Sequence, residues 1–451
     1  MAISLPYSRN RRYLTGIDWA IHALDAITKR ETGHGHASQI VLVLKGRLEP
    51  PSFRRLLRRM LDEHPVLSGY TSRDWNLCPF WKMGEPRPAG LPFTTEERTD
   101  DRWTEMFPAF ESHVNRPFPS PRHHLHFHLV RSGHERSYLG MSFDHRLLDA
   151  FGAETFLELM HRTYAGTEAE AVKRIKLVEK AHLDRWLRRF LGGRTANRLQ
   201  IRLSRGGLAA LPMPRKDPPL NTRFDFAEFS GDETQRVLDI AAEESGPFML
   251  LPSLLARIVH SLHRVAKRRG RVRGCYVVPV SVVNRSPQNL WEKLFFNHMS
   301  FLIFQTPADI ADDVPELVAH IRGDLYDQMQ TGVPEDLYHA SILTRIAPLE
   351  VMRQLARIPM GGSAGSCYFA FLRESGYRLT EFMGLEVENL IHTPHVPPPP
   401  GVGVFLNAFQ GRLNLVLSHL EGILSPEEAA SLTSSMREQF LTENSVEPTS
   451  A

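Results

Sequence analysis

Residues 140–160, GMSFDHRLLDAFGAETFLELM, change structural period within one short turn. The segment up to Phe143 is apolar and strand-like, whereas apolar residues from Ala150 onward recur at helical spacing. The chain must therefore pass from a sheet into a helix between them, which points to a layered α/β or α+β architecture. The connection carries three titratable groups, Asp144, His145 and Asp149.

The turn has a chemical reading and a plain one. A strand ending near Phe143 and a helix starting just after Asp149 leave His145 projecting from the strand end, with Asp149 as helix cap. A neutral imidazole there takes a proton from an attacking alcohol or amine and returns it to a leaving group. Equally, His145 is an ordinary turn histidine and Asp149 an ordinary N-cap. The chain has 21 histidines among 451 residues, so one histidine alone decides nothing.

The same vocabulary recurs along the chain. IVLVLKGRL (40–48) reads as a strand, and PPSFRRLLRRMLDEHP as a helix capped by Ser52 and stopped by Pro65. Two strands joined by a Ser-Gly-His turn lead into the His145 segment. A basic stretch with two Gly-Gly pairs and terminal prolines follows, and the second half again alternates helix-like and strand-like segments. It closes on a helix with a Ser425/Glu428 capping box. These shifts divide the chain into an N-terminal lobe (1–165), a basic helix and connecting segment (166–219) and a C-terminal lobe (220–451). A net charge of +3 with 42% hydrophobic residues points to a globular protein without a nucleic-acid-coating role. Three scattered cysteines, Cys78, Cys275 and Cys367, fit a reducing compartment. With no signal-peptide core and no membrane-spanning run, the expected location is the cytoplasm, with peripheral membrane contact through residues 173–216.

The motif and its surroundings resemble the superfamily with the chloramphenicol-acetyltransferase-like fold. It includes condensation domains of nonribosomal peptide synthetases, plant BAHD acyltransferases, bacterial wax-ester synthases and mycobacterial polyketide-associated acyltransferases. Their HHxxxDG signature stands here as Asp144-His145-Arg146-Leu147-Leu148-Asp149-Ala150. LLRRMLDEHPVLSG is similar to their "HP-x-L" region, VVPVSVVNR to a "PV-x-x-R" strand and FFNHMSF to a "GN-x-x-S" stretch. PPPPGVGVFLNAFQGRLNLVLSHL is similar to their late crossing strands.

The resemblance implies a two-lobed pseudo-dimer, each lobe a mixed sheet flanked by helices, with a tunnel between them. It makes His145 the general base and Asp149 a structural carboxylate paired with Arg285. Asp144, Ala150, Gly152, Asn297 and Ser300 are the candidate tunnel or motif residues. The implied substrates are an acyl-CoA or acyl-carrier-protein thioester and a small alcohol or amine acceptor, with no permanently bound cofactor and no metal. Asp144 replaces the first His and is expected to favour protonated His145. Ala150 replaces a Gly that lets substrate approach the backbone, which keeps open a non-catalytic condensation-like module binding a carrier protein or synthase partner.

Three other signals compete. Gly361-Gly362-Ser363-Ala364-Gly365 matches G-x-S-x-G, yet a helix-like segment precedes it and a strand follows, the reverse of a nucleophile elbow. His124, His126 and His128 share one face of a strand, as zinc ligands or as a solvated face. In the basic segment from Lys173 to Lys216, Leu183, Trp186, Leu187 and Phe190 stand among charges, as a solvated helix or as a contact for an anionic membrane, coenzyme A phosphates or an acidic carrier protein.

Overall fold

A computed structural model describes residues 10–84, 90–99, 103–133, 135–177, 186–214, 219–246, 249–270, 272–286, 288–357, 360–372 and 379–443. Two six-stranded mixed sheets organise the chain. In the first, strands run in the order Glu381–Phe382, Leu385–Pro394, Ala37–Lys45, Arg136–Asp144, Leu125–Ser132, Phe93–Arg98. In the second the order is Met299–Pro307, Cys275–Val283, Tyr368–Leu372, Val402–Phe409, Arg412–Leu420, Thr222–Glu228.

The central strand Ala37–Lys45 is buried at every position but its last, so its hydrophobic run needs cover on both faces. The helices Pro50–Glu63 and Ala150–Ala165 cover one face; Phe53, Leu56, Leu57 and Met60 of the first repeat at helical spacing and are buried. Trp103–Val114 covers the other, with Phe110 and Val114 in the core. In the second sheet, Leu251–Arg268 and Pro426–Leu441 play the corresponding part, the latter starting at the Ser425/Glu428 capping box.

Two expectations change. Ser52 is not the cap of the first long helix. Glu49 occupies that position, Pro50 and Pro51 open the helix, and the Ser52 hydroxyl accepts from Arg55 instead. The strand that crosses between lobes is not within 402–420, where both strands stay in the second sheet. It is Leu385–Pro394, which pairs antiparallel with Ala37–Lys45 and so completes the first sheet from the far end of the chain. A division at residues 165 and 220 therefore does not coincide with the sheets. Buried Ile391 joins Phe224 and Val416 of the second sheet with Val41 and Tyr138 of the first, and Phe110 of the helix Trp103–Val114, in one apolar cluster.

Shortening the crossing strand's core contacts tests this tie. Ile391→Ala removes a buried side chain from this cluster, and urea denaturation is expected to show a loss of about 2–5 kcal/mol in a single transition.

Candidate active site

The strand Arg136–Asp144 carries the turn to the seam between the sheets, and the helix Ala150–Ala165 leaves from it. Asp149 is the cap: its Oδ1 accepts from the Gly152 amide at 2.8 Å. The same carboxylate accepts from Arg285 Nη1 at 2.5 Å on both oxygens, and Oδ2 also accepts from the His298 amide at 3.1 Å. Arg285 in turn donates to the Lys293 carbonyl from Nε (3.0 Å) and Nη2 (2.7 Å). One buried carboxylate thus serves a helix start in one half and two loop positions in the other. Burial alone would raise the Asp149 carboxyl, but the Arg285 charge and the hydrogen bonds outweigh it and hold it below the ordinary range.

A second carboxylate fastens the same loop. Asp18, in the first turn of the helix Gly16–Thr32, accepts from the Asn297 amide at 3.1 Å and from Arg12 at 2.7 Å. Burial raises the Asp18 carboxyl, and Arg12 brings it down below its ordinary value. Between these two ties, the Phe296 amide donates to the Leu147 carbonyl at 2.6 Å. Phe296 adopts φ +72°, a left-handed conformation that a bulky residue takes only when its surroundings fix it. The guanidinium of Arg12 lies 3.7 Å from its ring centroid and Trp81 packs edge-on at 5.7 Å.

Asn297 orients His145. Its Nδ2 donates to the His145 carbonyl at 2.9 Å, and that carbonyl can only accept, so Oδ1 is the end facing His145 Nδ1 at 3.1 Å. Nδ1 therefore carries the hydrogen and donates it to Asn297. Nε2 is left as the bare nitrogen, with no hydrogen-bond partner among the described residues. The backbone of His145 is also held, its amide donating to the His36 carbonyl at 3.1 Å.

His145 lines a cavity of about 150 Å³ with residues of both sheets, among them Phe143, Met299, Phe369 and Phe405. His36, His395 and Tyr368 line it too, and each has a buried polar atom (Nδ1, Nε2 and the hydroxyl) without a partner among the described residues. His36 stacks obliquely on His145 with ring centroids 4.8 Å apart. Burial pushes His36 well below its ordinary value and His395 down to about 4. The carboxylate that lines the cavity, Asp149, is committed to Arg285, and the lining His392 is hydrogen-bonded through Nε2 to Glu154 behind it at 2.8 Å.

The remaining candidate residues fall as follows. Asp144 makes no hydrogen bond to His145: its carboxylate accepts from His124 Nδ1 (2.8 Å) and from Arg146 Nη2 (2.5 Å). Burial opposes the charge, yet Arg146 and His124 hold Asp144 well below the ordinary range, so its charge is spent on them. Ala150 lines the cavity at the first position of its helix. The glycine requirement sits two residues on, because a Cβ at Gly152 would fall 2.4 Å from the Leu294 carbonyl oxygen and 3.2 Å from Asp149 Oδ1. Neither Asn297 nor Ser300 lines the cavity, since the first lies against the turn and the second donates to the Pro334 carbonyl at 2.5 Å.

The competing signals resolve differently from one another. Ser363 lies between the helix Leu349–Arg357 and the strand Tyr368–Leu372, and its hydroxyl donates to the Gly365 carbonyl at 2.7 Å. The face carrying His124, His126 and His128 is not solvated as expected: His126 and His128 lie against His113 of the helix Trp103–Val114, which stacks on His128 at 3.6 Å, and His124 is buried against Trp81 and bonded to Asp144 and the Gly69 carbonyl. Among the described residues no group of three or more His, Cys, Asp or Glu is placed to hold a metal ion. Of the basic segment 173–216, Leu183 lies outside the described residues, while Trp186, Leu187 and Phe190 open an exposed helix. No described helix is long and apolar enough to cross a membrane.

Neither a protein-family model nor a curated protein sequence matches the chain. Solved structures do. The first condensation domain of the CDA synthetase superposes with a TM-score of 0.66 at 15% identity, over 97% of each chain. The TRI3 trichothecene 15-O-acetyltransferase from Fusarium sporotrichioides gives 0.67 at 14%, over 96% of this chain and 94% of its own. The starter condensation domain of rhizomide synthetase, solved in complex with C8-CoA, gives 0.63 at 11%, over 96% and 95%. The chain therefore has the pseudo-dimeric fold of condensation domains and chloramphenicol-acetyltransferase-like proteins along nearly its whole length.

Two outcomes follow from the ties. Asp149→Ala leaves Arg285 buried without its counter-charge and is expected to cost on the order of 3–5 kcal/mol in denaturant titration. Asp18, Asp144 and Asp149 all have depressed carboxyls. Their stabilisation is complete above the ordinary carboxylate range and is lost as pH falls through their native values. Tm is thus expected to drop as pH goes below about 5, with a shallower fall in Asp149→Asn.

Proposed function

We propose that this protein is an acyltransferase that moves an acyl group from a coenzyme A or carrier-protein thioester to a hydroxyl or amine acceptor, with His145 as general base. The observation that carries the reading is the tautomer set by Asn297. A ring whose Nδ1–H is committed to Asn297 Oδ1 offers Nε2 as a lone pair on the cavity side. The fold shared with condensation domains and an acetyltransferase supports the reaction class.

The step balances on one nitrogen. The acceptor O–H or N–H gives its proton to His145 Nε2 as the acceptor atom bonds to the thioester carbonyl carbon. The C–S bond then breaks, and the departing sulfur takes the proton back from Nε2 as free thiol. During transfer the imidazolium keeps both N–H bonds directed, Nδ1 toward Asn297 and Nε2 toward the reacting atoms. Asp149 and Arg285 touch no reacting atom; they hold the turn and the facing loop together. The cavity is mostly apolar and its lining carboxylate, Asp149, is paired with Arg285, so the substrate portions it receives are uncharged and largely hydrocarbon. The unpartnered His36, His395 and Tyr368 atoms supply polar contacts for such a ligand.

A thiol-release assay with a panel of acyl thioesters against alcohols and amines tests this. Free thiol is expected only when an acceptor is present, and His145→Ala is expected to lower turnover by about 10²–10⁴-fold while remaining folded by circular dichroism. Full turnover in His145→Ala contradicts the assignment. Absence of thiol release with every pair favours the non-catalytic, partner-binding module instead.

A further inference from the structure

The helix Trp186–Leu203 is mounted inside out. Its inward side holds Gly192, Arg189 and Leu203, which are buried. Gly192 lies so close to the helix Val333–Thr344 that a Cβ there would come within 2.3 Å of the Asp336 carbonyl oxygen, and Thr195 donates to Asp336 Oδ2 at 2.6 Å. The large apolar side chains point the other way: Trp186 is 65% exposed, Leu187 71% and Phe190 64%. Leu191 and Ile201 are exposed as well, and Leu343, against the same helix at Gly193, extends the patch. An ordinary surface helix turns this face to the core. Exposed apolar residues gathered on one ridge mark a contact rather than a chance scatter.

Charge identifies what the contact is with. The helix has arginines at 188, 189, 194, 198 and 202 and no acidic residue. Arg188 pairs with Glu335 and Arg202 with Asp324, but Arg194 and Arg198 are exposed, lie on the outward side with Leu187 and Phe190, and have no carboxylate partner among the described residues. Two copies meeting through this face would set these arginines against each other. The apolar groups form a convex ridge with a Trp at its N-terminal end, flanked by guanidinium groups, which suits burial among lipid headgroups.

We propose that the helix Trp186–Leu203 is an interfacial docking element that seats the protein on an anionic lipid bilayer, its Trp186, Leu187 and Phe190 side chains entering the headgroup boundary while Arg194 and Arg198 meet lipid phosphates. The surface is separate from the His145 cavity, and the inference stands whether or not that cavity transfers acyl groups. It brings a protein with an apolar cavity to the place where hydrocarbon substrates collect.

Sedimentation of the full chain with vesicles of phosphatidylcholine, with and without phosphatidylglycerol, tests it. Binding to the anionic vesicles is expected to exceed binding to neutral ones by about tenfold or more at low salt and to fall as salt rises. Leu187→Ser/Phe190→Ser is expected to abolish binding, and Arg194→Gln/Arg198→Gln to remove the preference for anionic lipid, with thioester turnover on a soluble acceptor unchanged in both. The proposal is overturned by no sedimentation with anionic vesicles at low salt, by binding that survives Leu187→Ser/Phe190→Ser, by a dimer that this double change dissociates, or by stronger retention on a soluble acidic carrier protein than on the vesicles.

Discussion

The ion pair between Asp149 and Arg285 closes the seam on which the site depends. Its carboxylate takes four contacts from three donors in one place: a helix amide, one guanidinium nitrogen that reaches both oxygens, and a loop amide. A buried pair of this kind adds little net stability over an apolar substitute, because desolvation offsets much of the attraction. Its value lies in specificity. With Asp149 committed to Arg285 and Asp18 committed to Asn297, the segment around Phe296 has one position relative to the His145 turn, left-handed φ included.

From that fixed position the chemistry of His145 follows. The imidazole is aimed by an amide whose orientation is settled by a carbonyl, so the network contains no choice of tautomer. Neighbouring carboxylates are engaged, Asp144 by His124 and Arg146, and Glu154 by a hydrogen bond to His392. His36 and His395 are kept neutral by burial, so the cavity beside His145 is polar only in hydrogen-bonding capacity. The proposed general-base role of His145 rests on this setting, in which the lining carboxylate Asp149 is committed to Arg285 and the neighbouring His36 and His395 are neutral.

How much was legible in the sequence depended on the range of the interaction. The strand, turn and helix around His145 are set by local periodicity and a cap, and residues 140–160 are sufficient to read them. The Asp149–Arg285 pair was accessible through motif resemblance alone, because nothing in the spacing of residues 149 and 285 announces contact. Asn297 was readable as a motif residue but not as the group that fixes a tautomer, since its partners are a ring and a main-chain carbonyl 152 positions away. Asp18 carries a capping-box signal with Thr15, yet its tie to Asn297 leaves no local trace. Ser52, directly before the first apolar position Phe53, reads as a cap, but Pro50 and Pro51 open the helix ahead of it. The amphipathic pattern within residues 173–216 was visible, whereas the direction its apolar side faces depends on how Gly192 and Thr195 pack against Asp336.

The most direct test of the central claim reads the protons on the ring itself. In protein labelled with nitrogen-15 at histidine, with His145→Gln used to assign the signal, the two ring nitrogens of His145 report which one is protonated at neutral pH. The seam described here requires that the ring in its neutral form carry its hydrogen on Nδ1 and leave Nε2 bare, and that this single tautomer be lost in Asn297→Ala. A ring carrying its hydrogen on Nε2, or one whose tautomer is indifferent to Asn297→Ala, would contradict the account.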